Sequence, residues 1–331
     1  SPVAAEPVTF ASLYRFPSVT GRAFALPREA FASLTPHQQG LVAVLGAAIL
    51  WSSGGLFIKW VSLDALGVTM WRSLLAGVVM WAIARPPMRP PWKTGKLTWG
   101  IAISYALTLV MFVAATKLTT AASAIFLQYT APLYLLVTGA VFLHERATKT
   151  DFATVAVAFG GMALFFVGKL DADAMTGNAL AAASGVTLAA MFTLLRAPGC
   201  AVETRPEAMV WGNILLVVGL FAVNLGRRTS SPFTPDLSDI AGLVFLGVVQ
   251  IGFAYLLFGY GVAHVQALEA SLIGMLEPVL NPVWVFLFLG ETPGWWAVLG
   301  GAIIIAAVAA RTFTTERGKA NANTTVIPAD I

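Results

Sequence analysis

The chain contains one hydrophobic pattern twice. Residues 121–156 match residues 267–302 at a constant offset of 146 positions: each copy has an apolar run, a proline, more apolar residues, a glutamate and a second apolar run. The matched prolines and glutamates are Pro132 with Pro278 and Glu145 with Glu291. Duplicated hydrophobic segments with prolines inside them are the usual construction of a secondary transporter. The repeat therefore predicts a membrane fold built from two copies of one unit.

The composition indicates that most of the chain lies in lipid rather than in water. Of the 331 residues, 58% are hydrophobic and only 11% are charged, whereas a soluble domain carries about 25% charged residues. The net charge of +4, with no basic run interleaved with aromatic residues, argues against a nucleic-acid partner. The chain has a single cysteine, Cys200, widely separated histidines and no G-x-x-x-x-G-K-[ST] motif. We therefore expect no disulfide, no zinc site and no bound ATP, and no metal or cofactor.

Ten stretches are long and apolar enough to cross a bilayer, which takes about 20 residues. Numbered in order, spans 1 to 10 are 40–62, 65–84, 97–116, 119–143, 150–168, 177–196, 206–225, 239–262, 266–289 and 294–311. Residues 1–39 are predicted to be a flexible N-terminal tail and residues 312–331 a C-terminal tail. Because five spans per half is an odd number, the second repeat (177–311) enters the membrane inverted relative to the first (40–168). The predicted fold is an all-α integral membrane protein of ten transmembrane helices in two inverted five-helix repeats.

The distribution of lysine and arginine predicts the orientation. With the N-terminus in the cytoplasm, the inside segments hold fourteen of these residues and the outside loops five. The segment 85–96 alone has four cations and no acid. The excess of positive charge on the inside predicts that both termini are cytoplasmic. We expect a multi-pass protein of the bacterial inner (cytoplasmic) membrane.

Polar side chains at the middle of the spans indicate where a functional site lies, because they are costly to place in lipid. In span 9, Glu277, Asn281 and Trp284 fall within an arc of about 80° on one helix face. Pro278 and Pro282 leave carbonyl groups one turn earlier without their helical partners, which is tolerated where those carbonyls line a cavity. Glu277 is predicted to bind a substrate amine or to carry a proton. The alternative is a buried acid that only shapes the helix bundle.

Other spans supply further candidates. The remaining predicted cavity residues are Trp51 and Ser52 in span 1, Tyr105 and Thr108 in span 3, Gln128 and Tyr129 in span 4, and Gln250 in span 8. Each of them could instead serve helix packing. Pro132, with Pro278 and Pro282, is a predicted hinge or gate residue. Gln250 and Tyr255 lie about 140° apart on an ideal α-helix, so one of the two is expected to face another helix.

The positions of the cations bear on the substrate. Spans 3, 4, 8 and 9 contain no lysine or arginine, whereas sites for phosphorylated sugars or nucleotides favour fixed cations. The substrate is therefore expected to be neutral or zwitterionic, with an apolar or aromatic body. Arg72, seven residues into span 2, is expected to be structural, with the option of reaching outward along its methylene stem.

Several short motifs resemble a known superfamily. They are Glu277–Pro278 in span 9, Gly290–Glu291 at its end, and the first-half counterparts Pro132 and Glu145. Over about residues 40–311 the chain resembles the drug/metabolite transporter superfamily, EamA type. The first half departs from the motif, because His144–Glu145 stands where Gly-Glu is expected. Within the superfamily, the run from Gln128 to Pro132 is similar to YddG-like amino-acid exporters.

The resemblance implies a basket-like bundle whose central cavity is built from spans 1, 3, 4, 6, 8 and 9. It also implies alternating access and the export of amino acids, aromatic or otherwise bulky and neutral, and of related metabolites. The expected partners are this small-molecule substrate and membrane lipid, with no obligate protein partner.

Other function classes stay open to different degrees. A lipid-modifying enzyme would need a nucleophile, a base or a metal set at one depth, and the spans show none, so no enzyme is expected. The same fold exporting drugs or nucleosides, and a channel or facilitator without alternating access, remain alternatives.

Overall fold

The computed structural model describes residue 31 and residues 33–145, 147–168, 173–227, 235–289 and 294–324, without the side chains of residues 59, 282, 285, 288, 289 and 315–324. Most of the predicted N-terminal tail, residues 325–331, Gly290–Glu291 and the side chain of Pro282 lie outside what is described. Within the described ranges the chain forms helices and no strand, so the all-helical prediction is confirmed there.

The helices follow one another along the chain with short connections. They are α1 (Pro36–Trp51), α2 (Gly54–Trp60), α3 (Ala65–Ala84), α4 (Lys96–Leu118), α5 (Ala121–Gln128), α6 (Ala131–Phe142), α7 (Lys149–Phe165), α8 (Met175–Arg196), α9 (Thr204–Arg227), α10 (Leu237–Val244), a π-helical segment (Phe245–Phe253), α11 (Ala254–Gly261), α12 (Ala267–Gly274), α13 (Leu276–Leu289) and α14 (Trp295–Thr324).

Eight stretches of these helices are long and apolar enough to cross a membrane, so this is a multi-pass membrane protein. They are Pro36–Ile58, Ala65–Ala84, Lys96–Leu118, Ala121–Phe142, Met175–Arg196, Thr204–Gly226, Leu237–Gly261 and Trp295–Thr314. Predicted span 5 corresponds to α7, which has only 17 residues. Predicted span 9 corresponds to α12 and α13, which are interrupted at Met275. The last helix, α14, continues to Thr324, past the predicted boundary at residue 311.

Side-chain caps explain where several helices begin. Thr35 and Gln38 form a reciprocal capping box at the start of α1, and Thr148 and Asp151 form another at the start of α7. The carboxylate of Asp64 accepts a 2.8 Å bond from the backbone N–H three residues on, and α3 begins directly after it. This cap separates the first two apolar stretches, which the sequence separates by only three residues.

Four apolar stretches lose regular α-helical geometry near their middle. The helix is interrupted at Ser52–Ser53, at Tyr129–Thr130 and at Met275, and residues 245–253 are π-helical. Tyr129 and Met275 are equivalent under the offset of 146 positions, and a proline follows each of them three residues later. Because that proline has no N–H group, the carbonyl four residues before it loses its helical partner. The duplicated prolines thus explain why both copies break at the same place.

Ion pairs join helix ends at one end of the bundle. The guanidinium of Arg196, at the end of α8, donates a 2.6 Å bond to Glu145, which follows α6. The second oxygen of Glu145 accepts a 3.3 Å bond from the backbone N–H of Ala267, at the start of α12. At the same end His37 and Glu269 share a 3.0 Å hydrogen bond, and Arg311 forms a 2.6 Å ion pair with Asp151. These contacts connect helices from both copies of the repeat.

Candidate functional site

A cavity lies inside the bundle where the interrupted helices meet. It is narrow in this conformation, with about 40 Å³ open to the centre of a water-sized molecule. Its wall is formed by Trp51, Arg72, Thr108, Leu109, Phe112, Gln128, Tyr129, Leu188, Phe192, Gln250, Ile251, Tyr255, Ser271, Gly274 and Glu277. These residues come from predicted spans 1, 2, 3, 4, 6, 8 and 9. The set includes every span that the superfamily resemblance implied, and adds span 2.

The structure brings six of the ten predicted cavity residues to this wall: Trp51, Thr108, Gln128, Tyr129, Gln250 and Glu277. The other four, Ser52, Tyr105, Asn281 and Trp284, do not line it. Residues that sequence reasoning did not select, among them Arg72, Tyr255 and Ser271, complete the polar part of the wall.

Tyr105 is turned away from the cavity. Its side chain is fully buried, and its hydroxyl accepts a 3.1 Å bond from the amide of Asn213 on α9. Its ring packs edge-on against Tyr255, with 4.8 Å between the ring centroids. Tyr105 therefore supports a wall residue from behind instead of facing a ligand.

Asn281 and Trp284 share a helix face with Glu277 but lie at another depth. They are four and seven residues further along α13, which places them about 6 and 10 Å away along the helix axis. The indole N–H of Trp284 donates a 2.7 Å bond to the hydroxyl of Ser52. A Cβ atom at Gly55 would lie 2.7 Å from the amide nitrogen of Asn281. Both side chains therefore pack against the interruption between α1 and α2.

The carboxyl group of Glu277 has a dedicated partner in the wall. The Tyr129 hydroxyl donates a buried 2.6 Å bond to its Oε2 atom. Because the helix restarts at Leu276, Glu277 lies in the first turn of α13, where free N–H groups and the helix dipole stabilise a negative charge. The interruption at Met275 therefore places an acid at the start of a helix. In the first repeat the equivalent position is Ala131, so only the second repeat supplies the acid.

Side chains of α8 form hydrogen bonds with two residues of the cavity wall. The amide nitrogen of Gln128 donates a 3.3 Å bond to the hydroxyl of Ser184, so Gln128 lines the cavity and is also bonded across helices. Thr108 donates a 2.8 Å bond to Thr187 on the same helix. A Cβ atom at Gly185 would lie 2.7 Å from the carbonyl oxygen of Gln128. The close approach of α8 thus covers the interruption after α5.

Gln250 and Tyr255 both line the cavity, so the expectation that one of them faces another helix is wrong. The reason is the π-helical segment Phe245–Phe253. Its i to i+5 hydrogen bonds give more residues per turn than in an α-helix, so the angle between Gln250 and Tyr255, two residues beyond the segment, is smaller than about 140°. The two side chains therefore come close to one face. Room for Gln250 is provided by Gly54, where a Cβ atom would lie 2.6 Å from its amide nitrogen.

Arg72 also faces the cavity. Its side chain is only 1% exposed, so it does not extend toward the membrane surface. Arg72 was expected to be structural, and the absence of a fixed cation was noted only for spans 3, 4, 8 and 9, so the position of Arg72 on the cavity wall was not predicted. An arginine seven residues inside an apolar stretch was the available signal.

Several buried polar atoms in the wall have no hydrogen-bond partner among the described residues. They are Nε and Nη2 of Arg72, Nε1 of Trp51, Oε1 of Gln250 and Oγ of Ser271. Aromatic rings lie beside them, and Trp51 contacts Tyr255 with 4.9 Å between centroids. Such a wall can hold a molecule that combines polar groups with an apolar body.

A larger groove, of about 550 Å³, lies between α3 and α9 on the outer surface of the bundle. Its rim residues Val78, Trp81 and Val218 are each more than half exposed. It contains none of the predicted cavity residues, and its lining is mainly apolar. It is a lipid-facing surface feature.

Comparisons with known proteins agree with a transporter. The sequence profile of the EamA-like transporter family matches residues 38–167 and, separately, residues 175–312. The chain is 25% identical over 272 residues to an uncharacterized transporter of Archaeoglobus fulgidus, an alignment that covers 81% of this chain and 94% of that protein. It is 31% identical over 182 residues to a probable terminal-alkyne amino-acid exporter of Streptantibioticus cattleyicolor, covering 54% of this chain and 59% of that protein.

A solved crystal structure shares the fold. It superposes with a TM-score of 0.69 over 85% of this chain and 98% of the other, at 18% sequence identity.

The bond between Tyr129 and Glu277 can be tested by stability. Tyr129→Phe leaves a buried carboxyl oxygen without its donor, so we expect a loss of about 1–3 kcal/mol in unfolding free energy, seen as a lower midpoint of thermal unfolding in detergent. The control is Tyr134→Phe on α6, because Tyr134 lies outside the cavity wall. Equal midpoints for the two variants would contradict the assigned bond.

Proposed function

Because the chain belongs to the EamA-like transporter family, we propose that it is a secondary transporter that exports amino acids, aromatic or otherwise bulky and neutral, together with related metabolites. Family membership makes it a transporter and not an enzyme. The substrate class is the part that is proposed. It is supported by the chemistry of the cavity and by the name of the relative from Streptantibioticus cattleyicolor.

The observation that carries the proposal is the Glu277–Tyr129 pair in an aromatic cavity. An acid held in the first turn of α13 can bind the ammonium group of an amino acid. Trp51, Phe112 and Tyr255 in the same wall can pack against an apolar side chain. A wholly apolar drug would leave the polar atoms of the wall without partners, which is unfavourable.

We further propose ten membrane crossings arranged as two inverted repeats. The two crossings beyond the eight long apolar helices are α7 and the pair α12–α13. The 17 residues of α7 are at the lower limit for a spanning helix, about 17 residues. The separate family matches to residues 38–167 and 175–312 support two units, and the equivalent breaks at Tyr129 and Met275 support a common origin. The excess of lysine and arginine on one side supports cytoplasmic termini in a bacterial inner membrane.

Transport by alternating access follows from this architecture as a proposal. The interruptions before Pro132 and Pro278 are positions at which α5–α6 and α12–α13 can bend without breaking further helical bonds. Pro282 would add to this freedom in α13. The Glu145–Arg196 pair and its neighbours hold helix ends together at one end, and we expect them to separate when that end opens.

Counterflow in proteoliposomes tests the proposed function. Vesicles preloaded with unlabelled phenylalanine should accumulate labelled phenylalanine or tryptophan transiently, since a carrier exchanges substrates across the membrane. A channel would equilibrate the label without this overshoot. Lack of uptake across a panel of labelled amino acids, with uptake of a drug or a nucleoside instead, would contradict the proposed substrate class.

The same vesicles test whether Glu277 carries a proton. Under that hypothesis, Glu277→Gln removes the dependence of transport on an imposed pH gradient, because an amide cannot exchange the proton. Glu203→Gln, at an exposed position between α8 and α9, should retain it. Identical gradient dependence in wild type and Glu277→Gln would rule out this role.

A further inference from the structure

Arg72 is held rigidly beside the cavity. It lies seven residues beyond the start of α3, about 10 Å along the helix. At this point α3 is in close contact with the π-helical segment, because a Cβ atom at Gly247 would lie 2.8 Å from the carbonyl oxygen of Arg72. That segment also carries Gln250. The contact fixes the backbone from which the guanidinium extends.

The positive charge of Arg72 has no anionic partner in the part of the chain that the structure describes. No ion pair among the described residues includes it, and its Nε and Nη2 atoms have no hydrogen-bond acceptor there. Its electrostatic neighbours are Tyr105 and Tyr255, whose phenol groups cannot offset a full charge. Arginine keeps its proton in proteins, and a buried unpaired charge is strongly unfavourable. An anion from outside the protein would therefore stabilise the guanidinium.

Glu277 supplies an acid to the same cavity wall. Tyr255 lines the same wall and is an electrostatic neighbour of both Arg72 and Glu277. No ion pair joins Arg72 to Glu277 among the described residues, and Glu277 accepts its bond from Tyr129. A wall with one fixed cation and one acid, both facing the same space, is complementary to a molecule with a carboxylate and an ammonium group.

A structural role for Arg72 accounts for less of this geometry. A structural arginine inside a helix bundle normally pairs with an acid or with backbone carbonyl groups, as Arg196 does with Glu145 and with the carbonyl oxygen of Val262. Arg72 does neither through Nε or Nη2. These two N–H groups form one side of the planar fork that binds a carboxylate in a bidentate manner.

We propose that Arg72 binds the α-carboxylate of the substrate, across the cavity from Glu277, so that the site selects zwitterionic α-amino acids over amines, amides and neutral drugs. The inference rests on the proposed amino-acid transport and assigns its specificity to one residue. It also explains how a cavity with a fixed cation can serve a substrate without net charge.

Competition against labelled phenylalanine in the wild-type protein tests the need for a carboxylate. Unlabelled phenylalanine should compete about tenfold or more better than phenylalaninamide or phenethylamine, which keep the amine and the ring. Equal competition by phenylalanine and phenylalaninamide overturns the inference while the amino-acid transport stands. If wild-type protein takes up no amino acid at all, the proposed function fails first, and the two failures are distinguishable.

The variant Arg72→Gln tests whether Arg72 causes the preference for a carboxylate. Phenylalanine should lose about tenfold or more in competition while phenylalaninamide changes little, because the amide makes no use of the guanidinium. The control is Arg85→Gln at the exposed end of the same helix, which should retain the wild-type preference. A preference for phenylalanine that survives in Arg72→Gln overturns the assignment.

If Arg72→Gln does not yield folded protein, the variant Arg72→Lys tests the inference instead. It keeps the charge but cannot form the planar fork. Competition by phenylalanine should then fall about threefold or more with phenylalaninamide unchanged, and unchanged competition by phenylalanine overturns the inference.

Discussion

Backbone groups that lose their helical partners inside a membrane must be covered by protein or must face an enclosed space. In this protein the helix interruptions at Tyr129–Thr130 and Met275 and the π-helical segment 245–253 border one cavity, and the interruption at Ser52–Ser53 directly follows the wall residue Trp51. Small residues cover them closely: Gly54 and Gly185 leave room for side chains and carbonyl groups that a Cβ atom would displace. The cavity and the irregular helices therefore depend on each other.

The same interruptions position the polar side chains of the cavity. Restarting the helix after Met275 puts Glu277 in the first turn of α13, where it accepts a 2.6 Å bond from the Tyr129 hydroxyl. The π-helical segment brings Gln250 and Tyr255 to the same wall. The first repeat breaks at the equivalent position but carries Ala131 where the second has its acid. The two repeats thus share the break three residues before the proline and differ in the charge beside it.

Much of this could be predicted from the sequence where the signal is periodic or local. The apolar runs predicted the long helices, and the paired prolines predicted the breaks in α5–α6 and α12–α13. Nothing in the sequence indicated which turn of this helix face borders the cavity. Asn281 and Trp284 share the face with Glu277 but lie one and two turns beyond it. No sequence signal marked the π-helical segment. Arg72 was visible, but the direction of its side chain decides between snorkelling and burial, and the sequence does not give that direction.

The central claim, that these polar groups share one water-accessible chamber inside the bundle, can be measured with a single cysteine. In a Cys200→Ser background, Ser271→Cys places a thiol on the cavity wall, and Val137→Cys places one on the outer surface, where the native side chain is 62% exposed. Thiol-specific, membrane-impermeant reagents act on the thiolate and therefore need water. We predict that Ser271→Cys is labelled from one side of the membrane, that saturating amino-acid substrate slows this labelling, and that Val137→Cys is not labelled. Failure of Ser271→Cys to react from either side would contradict the account.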